Sequence, residues 1–242
     1  MRAYFLAAAL LAGCGPRVQR ASADTTTMTA EQTAPNTLTD AERAQGWRLL
    51  FDGKTTAGWR GYGRPAMPDG GWSVVDGALT RTGRGGDIVA VDRYRDFELA
   101  LEWQVPPGGN SGIFYRAIED SNAIYMSAPE YQVLDDAAHA DGRNPLTSAG
   151  AAFGLYAAPR GVVRPAGEWN QSRIVVRGSR VEHWLNGQKV VEYELQGGDW
   201  KAKVAASKFK DWPTYGTAAE GYLGLQDHGD RVRFRSIKVR SL

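Results

Sequence analysis

Between Phe97 and Val105 the chain alternates. Phe97, Leu99, Leu101, Trp103 and Val105 take one parity, and Glu98, Ala100, Glu102 and Gln104 take the other. A side-chain period of two over nine residues predicts a strand buried on one face. Asp76-Gly77 separates Trp72-Ser-Val-Val from Ala78-Leu-Thr, and Asn186-Gly187 separates Val181-Glu-His-Trp-Leu from Gln188-Lys-Val-Val-Glu-Tyr. Both dipeptides tolerate the positive φ angles of tight hairpins. Gly178-Ser179 makes a third such turn, so residues 172–195 read as a three-stranded meander. Near the C-terminus Val232 and Phe234 keep one phase while Ile237 and Val239 keep the other, which predicts a bulge near Arg235-Ser236. No helical period persists beyond three turns. The exception at the start is Thr39-Asp40-Ala41-Glu42, whose spacing is that of a capping box and predicts a short helix. Short strands, glycine-rich turns and no βαβ rhythm give an all-β domain over residues 39–242, a sandwich of two antiparallel sheets.

Composition changes the picture mainly at the N-terminus. The 242 residues carry 29 Lys+Arg against 27 Asp+Glu, a net charge of +2, so neither nucleic acid nor a polybasic membrane patch is expected. The single cysteine, Cys14, has no partner for a disulfide. It follows Met1, Arg2 and an apolar run from Ala3 to Ala12, the layout of a secretory signal too short to span a bilayer. Leu11-Ala12-Gly13-Cys14 resembles the lipobox of bacterial lipoproteins, in which the cysteine is acylated. That resemblance implies a signal peptide over residues 1–13, lipidation at Cys14, and a membrane contact through the lipid alone. Gly15 in place of Asp favours periplasmic export to the outer membrane. Residues 14–38, rich in Pro, Ser, Thr, Ala and Gln, read as a flexible tether.

Several enzyme signatures are missing: no Gly-x-Ser-x-Gly elbow, no phosphate-cradling Gly-x-x-x-x-Gly-Lys-Ser/Thr and no His-Glu-x-x-His. What remains are polar residues on predicted strands. Alternation places Asn110, Gly112, Phe114 and Arg116 on one face, Glu130 with Gln132, and Gln226 with His228. Together with Trp169-Asn170, such pairs beside aromatics suit a surface that holds a polyhydroxylated ligand, with rings stacking on a sugar and amides reading hydroxyls. Each Asn, Gln or Glu taken singly also suits the solvent face of an antiparallel sheet. His183 shares its phase with Val181 and Leu185, which fits a core histidine as well as a functional one. His139 lies in the acidic stretch Asp135-Asp-Ala-Ala-His-Ala-Asp141, read as a solvated loop, with a divalent cation on its oxygens as the alternative. Glu130-Tyr-Gln-Val-Leu-Asp135 has the spacing of the acidic strand motif of retaining β-glucanases, but Gln132 replaces the central acid. A double displacement needs two carboxylates about 5 to 5.5 Å apart, and Glu130 and Asp135 have opposite parity, so that mechanism is not expected.

Gly46-Trp-Arg-Leu-Leu-Phe-Asp-Gly-Lys54, Gly58-Trp59, Asn110-Ser-Gly-Ile-Phe-Tyr-Arg116, Glu130-Tyr-Gln-Val-Leu-Asp135, Gly167-Glu-Trp-Asn170, His183-Trp-Leu-Asn-Gly187 and Gly224-Leu-Gln-Asp-His-Gly229 together resemble the 3-keto-disaccharide hydrolase domain family, from about residue 44 to Leu242. The resemblance implies a concanavalin A-like jelly-roll sandwich, export as a lipoprotein, and a carbohydrate substrate oxidised at C3 by a separate sugar oxidoreductase. It also implies a chemistry. A C3 carbonyl acidifies the C2 proton, a base removes it, the C1 substituent leaves, and water adds to the unsaturated sugar. Under that implication Glu130 or His228 is the base and His183 a candidate acid. Asn110, Arg116, Gln132, Trp169, Asn170, Gln226 and Lys208 are candidates to bind the substrate, and a divalent cation could assist. The alternative from another class is a non-catalytic, lectin-like carbohydrate-binding module.

Overall fold

A computed structural model describes Met1 and residues 34–242; the expected signal peptide after Met1, Cys14 and most of the expected tether lie outside the described residues. Among the described residues thirteen strands form two sheets, and every strand pair is antiparallel. One sheet has eight strands: β11 (Gln188–Glu194), β10 (Arg180–Leu185), β9 (Asn170–Arg177), β6 (Phe97–Gln104), β13 (Arg233–Ser241), β4 (Ala78–Arg81) and β3 (Trp72–Val75) in that order, with β1 (Arg48–Leu49) also on β13. The other has five: β2 (Trp59–Gly61), β5 (Ile88–Tyr94), β12 (Gly221–Leu225), β7 (Asn110–Ala117) and β8 (Glu130–Leu134). Two antiparallel sheets face to face are the sandwich expected from the period-two pattern.

The local expectations are met for stated reasons. Phe97, Leu99, Leu101, Trp103 and Val105 are all buried on β6 and its end, where they meet core residues such as Ile113, Tyr131, Val133 and Leu225 of the other sheet. The Asp76-Gly77 and Asn186-Gly187 turns hold both residues at positive φ, 49° and 71° in the first and 48° and 83° in the second, as a type I′ hairpin requires. On β13 the register slips between Arg235 and Lys238 and Ser236 has φ 53°, which is the bulge. Its exposed amide is satisfied by Asn36, whose Oδ1 accepts from Ser236 N at 2.8 Å while its Nδ2 donates to Gly77 O at 2.8 Å. Asn36, near the end of the expected tether, is thus bonded to the domain, and Leu38 is buried against it. The helix α1 (Asp40–Ala44) starts on the expected box, Thr39 Oγ1 accepting from Glu42 N and Glu42 Oε2 from Thr39 N.

The two sheets cover their outer faces differently. That of the eight-stranded sheet is open but internally paired: Glu98 accepts from Arg173 at 2.8 Å and Arg240 at 2.5 Å, and Glu102 from Arg235 at 2.6 Å. That of the five-stranded sheet lies under loops. Val89, Phe114, Ala117, Ile124 and Ala128 make a second, small core there, leaving the other half of the face as a pocket.

Candidate functional site

The pocket, about 190 Å³, sits on the face of β7 and β8 turned away from the main core. Strand parity sets its contents. Ile113 and Tyr115 of β7 and Tyr131 and Val133 of β8 go inward to the core, so Asn110 and Gly112, Glu130 and Gln132 go outward. Gly112 pairs with Gln132, and Phe114 with Glu130. The Glu130 carboxylate folds over Gly112, where a Cβ would stand 2.2 Å from Oε1. Any larger residue at 112 would push the carboxylate out of place. This is a spatial reason for glycine in Asn110-Ser-Gly112.

The third polar edge comes after β12. Gln226 N donates to Gly112 O at 3.0 Å, and the next residue anchors the turn. Asp227 accepts from Arg81 Nε at 2.6 Å and from Gly85 and Gly86 N at 3.1 and 2.9 Å. Its own N–H donates to Asp87 Oδ1 at 2.8 Å, and burial, with Asp227 adding, pushes the Asp87 carboxyl up to about 6. Asp230 Oδ2 accepts from Asn110 N at 3.0 Å. Gln226 and His228 are thereby held beside β7 by residues that do not themselves line the pocket.

Electrostatically the pocket holds groups whose partners are missing. Glu130 is 8% exposed; burial pushes its carboxyl up to about 8, with Lys208 opposing and Asp87 and Asp141 adding. Gln132 Nε2 donates to Asn110 Oδ1 at 3.3 Å, while the buried Oε1 atoms of Gln132 and Gln226 have no partner among the described residues. Buried polar atoms normally have one, so these are positioned for a ligand. Asn110 Nδ2 stands 3.4 Å from His228 Nε2 and 3.5 Å from His139 Nε2. His139 Nδ1 accepts from Asp141 N at 3.1 Å. Tyr125, Phe153, Phe209 and Tyr215 supply an aromatic wall opposite, and Lys208 lies over the Phe153 ring, 4.5 Å from its centroid.

Six of the expected site residues therefore meet: Glu130, His228, Asn110, Gln132, Gln226 and Lys208. Four do not. Arg116 shares parity with Asn110, but β7 carries an extra residue against β12 there and Arg116 has φ 52°, so the bulge turns it away. Its guanidinium instead donates to Arg95 O, Gly178 O and Asp96. His183 is wholly buried between the sheets, its Nδ1 against Gly150 O at 3.0 Å and its Nε2 against the Tyr115 hydroxyl at 2.8 Å. Burial pushes its ring down to about 4. Of the two readings the sequence left open, the structure has the core histidine. Trp169 lies on the other sheet side under Arg235, 4.0 Å from its ring centroid. Asn170 begins β9 and holds a turn, accepting from Arg164 N and Asn186 Nδ2 at 2.8 Å each.

The acidic stretch is built into the loop. Asp135 accepts from Gly108 N and Ala137 N, and Asp136 from Ala149 N. Among the described residues no three His, Cys, Asp or Glu side chains gather as metal ligands. Missed from the sequence were His139, Asp141 and the aromatic wall. His139 is the one that a signal could have found, since the chain has just three histidines.

The chain is 39% identical to a 3-keto-disaccharide hydrolase of Bacteroides thetaiotaomicron, over 82% of this chain and 79% of that one. A crystal structure from Parabacteroides distasonis superposes with a TM-score of 0.81 at 33% identity, covering 86% of this chain and all of the other. A Bacillus subtilis protein with a galectin-like fold, 14% identical, superposes at 0.50 over 86% and 94% of the two chains, which bears on the fold alone. The sandwich is of the galectin and concanavalin A type. Residues 46–240, which contain both sheets except Ser241, the last residue of β13, and every residue of the pocket, match the 3-keto-α-glucoside-1,2-lyase-like domain, and the chain belongs to that family.

Proposed function

We propose that this enzyme of the glycoside hydrolase type acts on 3-keto-glucosides by elimination followed by hydration, with Glu130 as the base at C2. The observation that carries the reading is the lone buried carboxylate beside two amides whose oxygens lack partners. A displacement glycosidase needs a second carboxylate at the reacting carbon; Asp141 also lines the pocket, but its side chain is 42% exposed, and the polar wall around buried Glu130 otherwise offers amides and imidazoles.

The steps balance. Ionised Glu130 takes the C2 proton, and the electron pair moves into a C2=C3 enolate whose oxygen is held by amide N–H groups of Asn110 and Gln132. The enolate collapses, the C1–O bond breaks, and the leaving oxygen takes a proton from His228. This leaves a C1=C2 double bond conjugated with the C3 ketone. Water then adds its hydroxyl to C1 and its remaining proton restores His228, while C2 takes a proton from Glu130, which has exchanged with solvent after the leaving group departs, and the carboxylate is regenerated. Burial that raises Glu130 also makes its ionised form a stronger base, at the cost of a small ionised fraction near neutrality. Gln226 and Lys208 hold hydroxyls at the rim.

Chain residues 1–13 and Cys14 support a second part of the proposal, an exported, lipid-anchored enzyme at the outer membrane. The C3 carbonyl would be supplied by a sugar oxidoreductase. Incubating the domain with methyl 3-keto-glucoside and with methyl glucoside tests the reading. Release of 3-keto-glucose from the first alone is expected. Cleavage of the unoxidised glycoside, or binding without release, would overturn it.

A further inference from the structure

The aromatic wall does not stop where the polar wall does. Phe209 and Tyr215 stack in the pocket at 4.2 Å between centroids and 5° between planes, both nearly fully buried. Trp212 packs on Phe209 at 5.5 Å and continues the wall outward to Tyr125 at 5.4 Å. Tyr125 lines the same pocket yet is 44% exposed. Of the exposed large hydrophobic residues among those described, it alone borders the pocket.

That ring is held in place. Tyr125 sits on a single 3-10 turn (Ile124–Met126), whose first residue is fully buried. Ile124 seats directly on Gly224 of β12, where a Cβ would stand 2.5 Å from Ile124 Cδ1. Ser127 closes the turn, its hydroxyl donating to Ile118 O at 3.0 Å and its N–H donating to Ile124 O at 3.2 Å. An apolar ring exposed to water loses the stabilisation of burial, roughly 25 cal/mol for each Å². Fixing such a ring in advance lowers the ordering cost of anything that covers it.

The direction of the wall identifies what it would cover. Glu130 and Gln132 are the deep end of the site, so the sugar that loses its C2 proton lies inward, and its C1 substituent points to the mouth where Tyr125 stands. Resting on the elimination reading, we infer that Tyr125, backed by Trp212, is the leaving-group subsite. It would take a substituent with a flat apolar face, either an aryl ring or the C–H face of a second pyranose, both of which stack on aromatic side chains.

The test compares wild type, Tyr125→Ala and Tyr125→Phe on three 3-keto-glucosides: methyl, 4-nitrophenyl and glucosyl. Tyr125→Ala should raise KM roughly 3- to 10-fold for the 4-nitrophenyl or the glucosyl compound, or both, and leave the methyl compound within about twofold. Tyr125→Phe should match wild type, because the ring does the work. A rise confined to the aryl or to the glucosyl compound tells the two sources apart. An equal rise for all three, or none, overturns the subsite. If wild type cleaves none of them, the elimination reading has failed instead, and the subsite is then judged by binding of the intact 4-nitrophenyl compound. Binding weakened by Tyr125→Ala would support it, and unchanged binding would overturn it.

Discussion

On the eight-stranded sheet, Glu98 is buried beneath two arginines and Glu102 is bonded to a third; on the five-stranded sheet, Glu130 is buried over Gly112 with no cation within ion-pairing distance among the described residues. The tryptophans differ in the same way as the acids. Trp169, Trp184 and Trp47 lie under Arg235, Arg173 and Arg240 at 4.0, 4.3 and 5.1 Å, so their faces are already occupied. Tyr125 at the pocket mouth has a face open to solvent. Both outer faces offer the Asn, Gln, Glu and aromatic residues that suit a sugar. What separates them is satisfaction: a face whose polar groups pair with one another is finished, and a face with unpaired buried oxygens is incomplete until something binds.

The comparison predicts that substitutions on the two faces have opposite consequences. The largest effect should come from Glu130→Gln, which keeps the shape and removes the base. Turnover should fall by about 10²- to 10⁴-fold. Stability should move the other way. The folded-state carboxyl is raised above its ordinary value of 4.5 to about 8, so its contribution is full below pH 4.5 and is lost as pH rises through 8. The variant should therefore outlast wild type in urea at pH 8.5, by on the order of several kcal/mol. Loss of stability there, or retained turnover, would show that Glu130 resembles Glu98 after all.

Gly112→Ala comes next. Its Cβ would overlap the Glu130 carboxylate, and displacing the base by even one ångström should cost about 10²-fold in kcat. Normal kcat with an intact fold would mean that the carboxylate need not lie where it does. His183 gives a pH signature of similar size but without a catalytic one. Its ring is lowered from 6.5 to about 4 in the fold, so it supports stability above pH 6.5, and that support is lost as pH falls from 6.5 to 4, by roughly 3 kcal/mol. Urea midpoints of wild type and His183→Gln across that range should converge as pH falls. Parallel curves would remove His183 from the acid sensitivity. The smallest effect belongs to Trp169→Ala: kcat/KM within about twofold of wild type, and a stability loss of about 1 kcal/mol from the arginines it supports. A large loss of sugar affinity would reassign the finished face.

Sequence alone went furthest where the periodicity was local. Phe97 to Val105, the two type I′ turns and the Arg235-Ser236 bulge are each written in a few adjacent residues, and parity placed Glu130 with Gln132 and Gln226 with His228. Arg116 was lost because a bulge one residue away reverses parity, and nothing in Asn110-Ser-Gly-Ile-Phe-Tyr-Arg116 announces it. Trp169-Asn170 was lost because composition cannot tell a covered ring from an open one. The aromatic wall was invisible for a different reason: Tyr125 comes from the β7–β8 connection, Phe153 from β8–β9, and Phe209 and Tyr215 from β11–β12, and they meet only after the sandwich has formed. His139 combines both difficulties, since its acidic neighbours read as a solvated loop, whereas its role in the fold is to cap the turn at Asp141 through Nδ1.

Everything said of Glu130 depends on a proton leaving C2 of the sugar during turnover. The direct test runs the reaction on a 3-keto-glucoside in deuterium oxide and examines the released 3-keto-glucose at early time, alongside a product control for non-enzymatic exchange. Elimination and hydration predict deuterium at C2 of the product above that control, and its loss with turnover in Glu130→Gln. Product that retains its original hydrogen at C2 at the wild-type rate would instead mean direct displacement at C1, and the unpaired oxygens of Gln132 and Gln226 would need another explanation.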